Sequence, residues 1–212
     1  MTETMINHFR NFRNKLFNFF KYRSDATFDL IDAIAGQSSK ESTVKLSLCS
    51  LFRRTYSSIT DVVDNLFRSK PNTNPRPEEL QKEQLKISQL FAEECPQPKS
   101  KSFALFAVDC TSQPRVYSDK LEDRSFVHEP TKVPGQKPVT IGHQYSCLVY
   151  LPEKTSPTDP HWVVPLTVQR VKSDESGTLV GMEQIMQVVT DTVFKDKLCV
   201  LVVTIQMPQK CT

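Results

Sequence analysis

An α+β fold is predicted for this chain of 212 residues, with helices first and a sheet after them. Three observations predict it. All 14 prolines stand at or beyond position 71, so the first third lacks the residue that most disrupts helices. That third places apolar residues at three- and four-residue steps. From position 103 onward the apolar residues gather instead in short runs bounded by turn residues.

The helical part comes first. Ile6, Phe9, Phe12, Leu16 and Phe20 trace one helix, with Arg10, Arg13 and Asn14 between them. A short helix over Phe28 to Ala35 stops at Gly36. The longest stripe runs through Leu48, Leu51, Phe52, Tyr56, Ile59, Val62, Val63 and Leu66, which predicts one helix over 43–67 with Ser42 or Thr43 as N-cap. The turn-rich stretch 69–77 ends it. Pro77, Glu78 and Glu79 then open a helix that runs to about Glu94, because proline suits the first helical position and acids suit the positive end of the helix dipole.

The sheet part follows a linker at 96–102. Phe103 to Cys110 is apolar on both faces and reaches Asp109, as expected of a buried central strand that delivers a carboxylate to the sheet edge. Residues 111–142 read as loop. Strands are expected at 145–151, 162–171 and 197–203, with a helix over 178–193 before the last of them. Pro160 and Pro165 mark the strand at 162–171 as an edge or a bulged strand. The predicted organisation is therefore a helical region over 1–95, the linker at 96–102, a sheet-containing domain over 103–203 and a tail at 204–212.

Composition removes several classes. No apolar run approaches the roughly 18–20 residues of a membrane-spanning helix, so no membrane partner is expected. The basic, apolar amino terminus has no small-residue cleavage pattern, which argues against a secretory signal. Six cysteines stand singly, without a C-x-x-C pair, so free thiols in a reducing cytoplasm are expected and a zinc site is not. Charge is uneven: residues 1–77 hold 12 Lys/Arg against 7 Asp/Glu, whereas the rest holds 15 against 17. No nucleophile elbow, P-loop or dinucleotide fingerprint is present.

Asp109 is the sharpest candidate. Alone it also suits the cap of a turn after a strand. Three strands, a helix and a fourth strand, with an acid on the first, is however the opening of an RNase H-like domain. Phe103 to Thr111 resembles the first catalytic block of bacterial insertion-sequence transposases of the DDE type. So does the run Pro138-Val-Thr-Ile-Gly-His-Gln-Tyr-Ser146 with the strand after it, and Leu46-Ser-Leu-Cys-Ser-Leu-Phe-Arg-Arg-Thr-Tyr-Ser57 is similar to their helical amino-terminal region. The resemblance covers most of positions 40–203. It implies an incomplete RNase H-like domain behind the helical region, and Mg²⁺-dependent DNA cleavage and transfer, with two cations held between carboxylates. Asp109 matches the first acid of the triad, in a catalytic and metal-ligating role. The implied partners are double-stranded DNA at transposon ends and a second copy or a full-length transposase. Lys45, Arg53 and Arg54, with Arg10 and Arg13, are the candidate phosphate contacts.

The chain departs from that pattern where the second acid belongs. Position 204, directly after Val202 and Val203, is Thr, and no later helix supplies the third acid. The tail 204–212 has neither helical nor strand periodicity. Every Thr codon begins AC, so one G restored before Thr204 would read GAC, an Asp codon. A frameshifted, truncated transposase is therefore expected, with little or no Mg²⁺ binding and no activity alone. The other reading is a non-catalytic DNA-binding or transposase-interacting protein. Asp119, Glu122, Asp123, Glu183 and Asp191 read as solvated charges, and His143 as a hydrogen-bonded structural residue.

Overall fold

The computed structural model describes residues 3–39, 41–66, 77–118, 120–128, 139–154, 156 and 158–203. Asp119, Cys211, the tail 204–212 and all of the 69–77 turn except Pro77 lie outside the described residues. The chain divides into two compact units, residues 1–84 and 85–212. The whole is mixed α and β, with six helices and a five-stranded sheet among the described residues. None of those helices is long and apolar enough to cross a membrane.

In the first unit, α1 (Glu3–Phe19), α2 (Ser24–Ala35), α3 (Thr43–Ser47) and α4 (Ser57–Asn65) form a small helical cluster. Helix α2 ends at Gly36, whose N–H donates back to the Asp32 carbonyl. Ala26, Leu30 and Ala33 of α2 pack with Phe52, Ile59 and Val62. Phe28 meets Phe17 and Phe20 edge-on, at ring distances of 5.3 and 6.2 Å.

The single helix expected over 43–67 is broken. Helix α3 ends at Ser47, and regular structure resumes only at Ser57. Ser42 caps α3 by accepting from the Lys45 N–H, as its position predicts. The break rotates the predicted stripe. Phe52, Ile59 and Val62 are buried, but Leu48 is 80% exposed and Val63 is exposed too. Turning Phe52 into the core, and Arg53 and Arg54 onto Asp29, outweighs the helical hydrogen bonds given up between 48 and 56.

Helix α5 (Pro77–Glu93) follows the predicted bounds to within a residue. Its later turns belong to the second unit: the Ser88 hydroxyl donates to the Leu166 carbonyl at 2.8 Å, and the Gln89 amide to the Asp191 carbonyl at 2.9 Å. The sheet comprises β1 (Phe103–Pro114), β2 (Ser125–His128), β3 (Val139–Tyr150), β4 (Val164–Val171) and β5 (Leu198–Val203). Strand β3 pairs antiparallel with β1, β2 and β4, while β5 pairs parallel with β1. Strand β1 is thus central, as its apolar run predicts. Strand β4 is an edge whose register with β3 shifts between Leu148 and Val149, opposite Pro165. Within the expected loop at 111–142 the described residues instead hold the end of β1, all of β2 and the start of β3, where runs of only four residues in β2 and at the start of β3 are too short for a period to show; residues 119 and 129–138 lie outside the described ones.

Helix α6 (Gly177–Asp191) lies on one face of this sheet and connects β4 to β5. Ala104, Phe106 and Val108 of β1 bury beneath it with Leu148, Ile185, Val188 and Phe194. Phe106, Tyr150 and Phe194 form an aromatic cluster with ring distances of 5.0–5.6 Å, each such pair contributing about 0.5–1.5 kcal/mol beyond area burial. The approach of helix to strand is close enough to need glycine, since a Cβ at Gly181 would stand 2.5 Å from Val108 Cγ1. One polar cluster crosses the layer. Gln184, 2% exposed, accepts from the Ser146 hydroxyl at 2.6 Å and donates to Thr167 Oγ1 at 2.8 Å.

The linker is clasped to the sheet. One Glu153 carboxylate oxygen accepts the N–H groups of Lys99 and Ser100, and the other accepts that of Lys101 at 2.7 Å. The Tyr150 hydroxyl donates to the Pro96 carbonyl at 2.6 Å.

Two outcomes test this packing. Gly181→Val drives its side chain into Val108 and is expected to cost about 1–3 kcal/mol, read as a lower urea midpoint with an unchanged m-value. The backbone donors, with Ser100 N–H the largest influence, hold the Glu153 carboxyl at about 2, below its ordinary 4.5. Its contribution is therefore complete above pH 4.5 and is lost as pH falls through about 2. The amide resonances of Lys99, Ser100 and Lys101 should titrate together near that value, and the transition should vanish in Glu153→Gln.

Candidate functional site

Asp109 stands where β1 leaves its partner β5. The parallel ladder runs from Phe103 opposite Leu198 to Val108 opposite Val203. Asp109 is the next residue of β1, and the residue after Val203 lies outside the described ones. Along β1 the even-numbered residues 104, 106 and 108 are buried beneath α6, so Asp109 belongs to the other face, where it is exposed. Its antiparallel partner is Cys147 of β3. Strand alternation alone makes this placement, since side chains two apart share a face.

The carboxylate acts on its neighbours. Burial raises the Cys147 thiol above its ordinary value, and the Asp109 charge raises it further. Cys110, on the α6 face, is raised by burial and then by Asp109, and a hydrogen bond with Ser146 works the other way. Cys49, Cys95, Cys110, Cys147 and Cys199 are all free thiols, as their lone spacing predicts. Cys95 is the one held deepest, and burial pushes its thiol up to about 12. Burial thus leaves Cys95, Cys110, Cys147 and Cys199 weak nucleophiles at neutral pH.

Among the described residues, no other carboxylate gathers at Asp109. Asp123 sits in the turn before β2 with φ 51°, where it accepts from Arg170 Nη2 at 2.7 Å and from the Ser173 N–H at 3.1 Å. Glu122 is exposed in the same turn, and its carbonyl accepts from Arg170 and lies 3.0 Å from His143 Nε2. His143 is accordingly a buried, hydrogen-bonded residue of β3. Glu183 and Asp191 are exposed on α6. No group of three or more His, Cys, Asp or Glu side chains fit to hold a metal ion occurs among the described residues. The donor set at Asp109 therefore does not fit the two-cation centre that the transposase resemblance implies, because two divalent ions 4 Å or so apart need several anionic ligands between them.

The basic candidates lie in the first unit, and the fold engages each of them with a side chain of its own. Asp29 of α2 is buried and is the hub. Arg53 Nη2 donates to one of its oxygens at 2.8 Å and Arg54 Nε to the other at 3.1 Å, while Arg54 also reaches Asp25. Arg13 makes a two-toothed pair with Asp32 at 2.7 and 2.9 Å, with its guanidinium 5.0 Å from the centre of the Phe28 ring. Lys45 pairs with Glu41 at 2.9 Å, and Arg10 donates to the Asn7 amide oxygen. Periodicity places these cations on helices, but it carries no information about the acid that folds against each. Arg53 stays largely in solvent: its side chain is 77% exposed while that of Asp29 is 8% exposed.

A shallow cleft of about 660 Å³ lies in the same unit, lined by Ile34, Gln37, Ser38, Ser39, Glu41 and Leu46. Nothing in the sequence marked it, since its walls come from the end of α2, the following loop and α3.

No protein-family model, curated protein or solved structure gave a significant match to this chain.

The Asp109–Cys147 pairing has a measurable consequence. Removing the charge in Asp109→Asn lowers the Cys147 thiol toward its ordinary value, so alkylation of Cys147 by iodoacetamide at neutral pH should quicken. An unchanged rate, followed by peptide mass spectrometry, would show that the two side chains do not share a face.

Proposed function

We propose that the chain is a DNA-binding protein built on the architecture of a DDE-type transposase, with the helical unit meeting the phosphate backbone and the sheet unit carrying a solitary acid of the catalytic type. The observation that carries this reading is the order β4-β3-β1-β5, antiparallel through the first three, with β5 parallel to β1 after the α6 crossover and Asp109 just beyond the last β1–β5 pair. That order matches the opening of the RNase H-like domain that the resemblance implies. No cleavage step is assigned. A lone carboxylate among the described residues leaves the attacking and leaving oxygens of a phosphodiester without a counter-charge.

Binding without cutting is the form of the proposal that the charges favour. Arg53 spends one of its donors on Asp29 and leaves the rest of its guanidinium fork in solvent. A phosphate there would be met by a cation already held in place, which lowers the ordering cost of the contact. Contacts of this kind supply affinity and register without reading bases.

Gel shifts on terminal-repeat and random duplexes test the proposal, alongside a nicking assay with Mg²⁺ or Mn²⁺. Binding is expected to fall about 100-fold between 50 and 200 mM salt, and Arg53→Ala is expected to reduce the log–log salt slope by about 1. No Asp109-dependent nicking is expected. Salt-insensitive binding, or none, would remove the DNA-contacting role; robust nicking lost in Asp109→Asn would replace it with an active nuclease.

A further inference from the structure

We propose that the exposed start of α1 is a membrane-surface helix, which lays Met5, Ile6 and Phe9 into the headgroup layer of an anionic phospholipid bilayer. This role is independent of the DNA-binding reading. It also differs from spanning, for which none of the described helices is long and apolar enough. The lack of a spanning run, on which the expectation of no membrane partner rests, does not bear on a helix that lies flat.

The apolar stripe of α1 has two halves with different duties. In the later half Leu16 is buried, Phe17 meets Phe28 edge-on at 5.3 Å, and Phe20, just past the helix, is buried too. Packing within the unit explains why that half is apolar. It does not explain the earlier half, where every residue from Glu3 to Asn11 is exposed. Met5, Ile6 and Phe9 share one side of that half and are 60%, 42% and 58% exposed.

Charge selects the occupant. At about 100° per residue, Arg10 borders the apolar row on one side and Lys15 on the other, while Asn7, Asn11, Asn14 and Asn18 take the opposite face. Helix α1 carries one acid, Glu3. Arg13 runs along the row itself, with its guanidinium 5.8 Å from the centre of the Phe9 ring and its charge engaged by Asp32. Arg10 donates to the Asn7 amide oxygen, a neutral partner that leaves its charge whole. When the row points into the acyl boundary, the cations on both borders come level with the phosphates, and their long stems let them reach up to the headgroups. A protein groove would have to supply acids along both borders at once, whereas an acidic lipid surface presents them in every direction. Three side chains bury little area, so acidic headgroups are needed to hold the helix and neutral lipid is not expected to suffice.

Sedimentation of the full chain with phosphatidylcholine vesicles, with and without about 30% phosphatidylserine, tests this. The chain is expected to pellet with the acidic vesicles and to stay in solution with the neutral ones. Arg10→Gln should weaken binding about 5-fold, as the loss of one surface cation does. Met5→Ser combined with Phe9→Ser should abolish it, with an unchanged circular dichroism spectrum. Leu179→Ser, which removes a side chain 65% exposed on α6, should bind as the unmodified chain does. A second readout does not depend on those variants. Measured against the signal of Trp162, the fluorescence of Phe9→Trp should be quenched by brominated acyl chains, and that of Asn11→Trp, on the opposite face, should not. Equal pelleting with both vesicles, pelleting that survives the Met5 and Phe9 substitutions, or equal quenching at positions 9 and 11 would each overturn the proposal. So would a chain that pellets with neither vesicle, which would leave the row to a protein groove.

Discussion

The burial of one face of β1 beneath α6 is the constraint on which the second unit depends. Ala104, Phe106 and Val108 are the side chains that sink into that layer. Glycine at 181 lets the helix come near enough to cover them, and the buried Gln184 ties the helix to buried Ser146 and half-buried Thr167. A buried amide with both its oxygen and its nitrogen engaged is satisfied only in one register of helix on sheet. Once that register is set, the alternation of the strand leaves Asp109 no choice of face. It must emerge on the side opposite α6, next to Cys147.

The parallel pairing of β5 with β1 follows from the same layer. A strand parallel to its neighbour must be reached by a crossover, and α6 is that crossover. Phe194 sits in the turn between helix and strand and stacks against both Phe106 and Tyr150. The turn is thereby anchored in the core before β5 begins. Tyr150 in turn holds the linker through Pro96, and Glu153 gathers three consecutive linker N–H groups. The path into β1 and the path into β5 are thus fastened to the same end of the sheet.

The first unit is organised around a carboxylate instead. Asp29 is buried, and burying a charge is tolerated when it is paired and hydrogen-bonded on both oxygens. Arg53 and Arg54 do this from a segment that would otherwise have continued as helix. The arginines therefore have a structural duty before they have any duty toward DNA. Their positions are defined from inside the fold, while much of the Arg53 fork faces outward. Such an arrangement differs from an idle basic face, whose cations are merely solvated.

Local pattern was enough to find α1, α2 and α5, the central place of β1, the proline-marked edge at β4 and the crossover helix before β5, because each rests on periodicity, caps or prolines confined to its own residues. It also singled out Asp109, but β1 runs on to Pro114 in pairing with β3, so the acid stands within the strand and not at its end. It failed over 43–67, where a continuous apolar stripe reads as one helix but Phe52 and Arg53 find better partners on α2 than along their own axis. It failed again over 125–128 and 139–142, where the runs are too short to show a period and the neighbouring strands create the ladder. The acid partners of Arg13, Arg53 and Arg54 lie 19 to 29 residues away, at separations no periodicity encodes. Sequence alone determined which segments favour helix or strand, since that choice is made by each residue's nearest neighbours. Tertiary structure alone decided which charges are occupied and which face carries Asp109, since these depend on groups brought together only when the chain closes on itself.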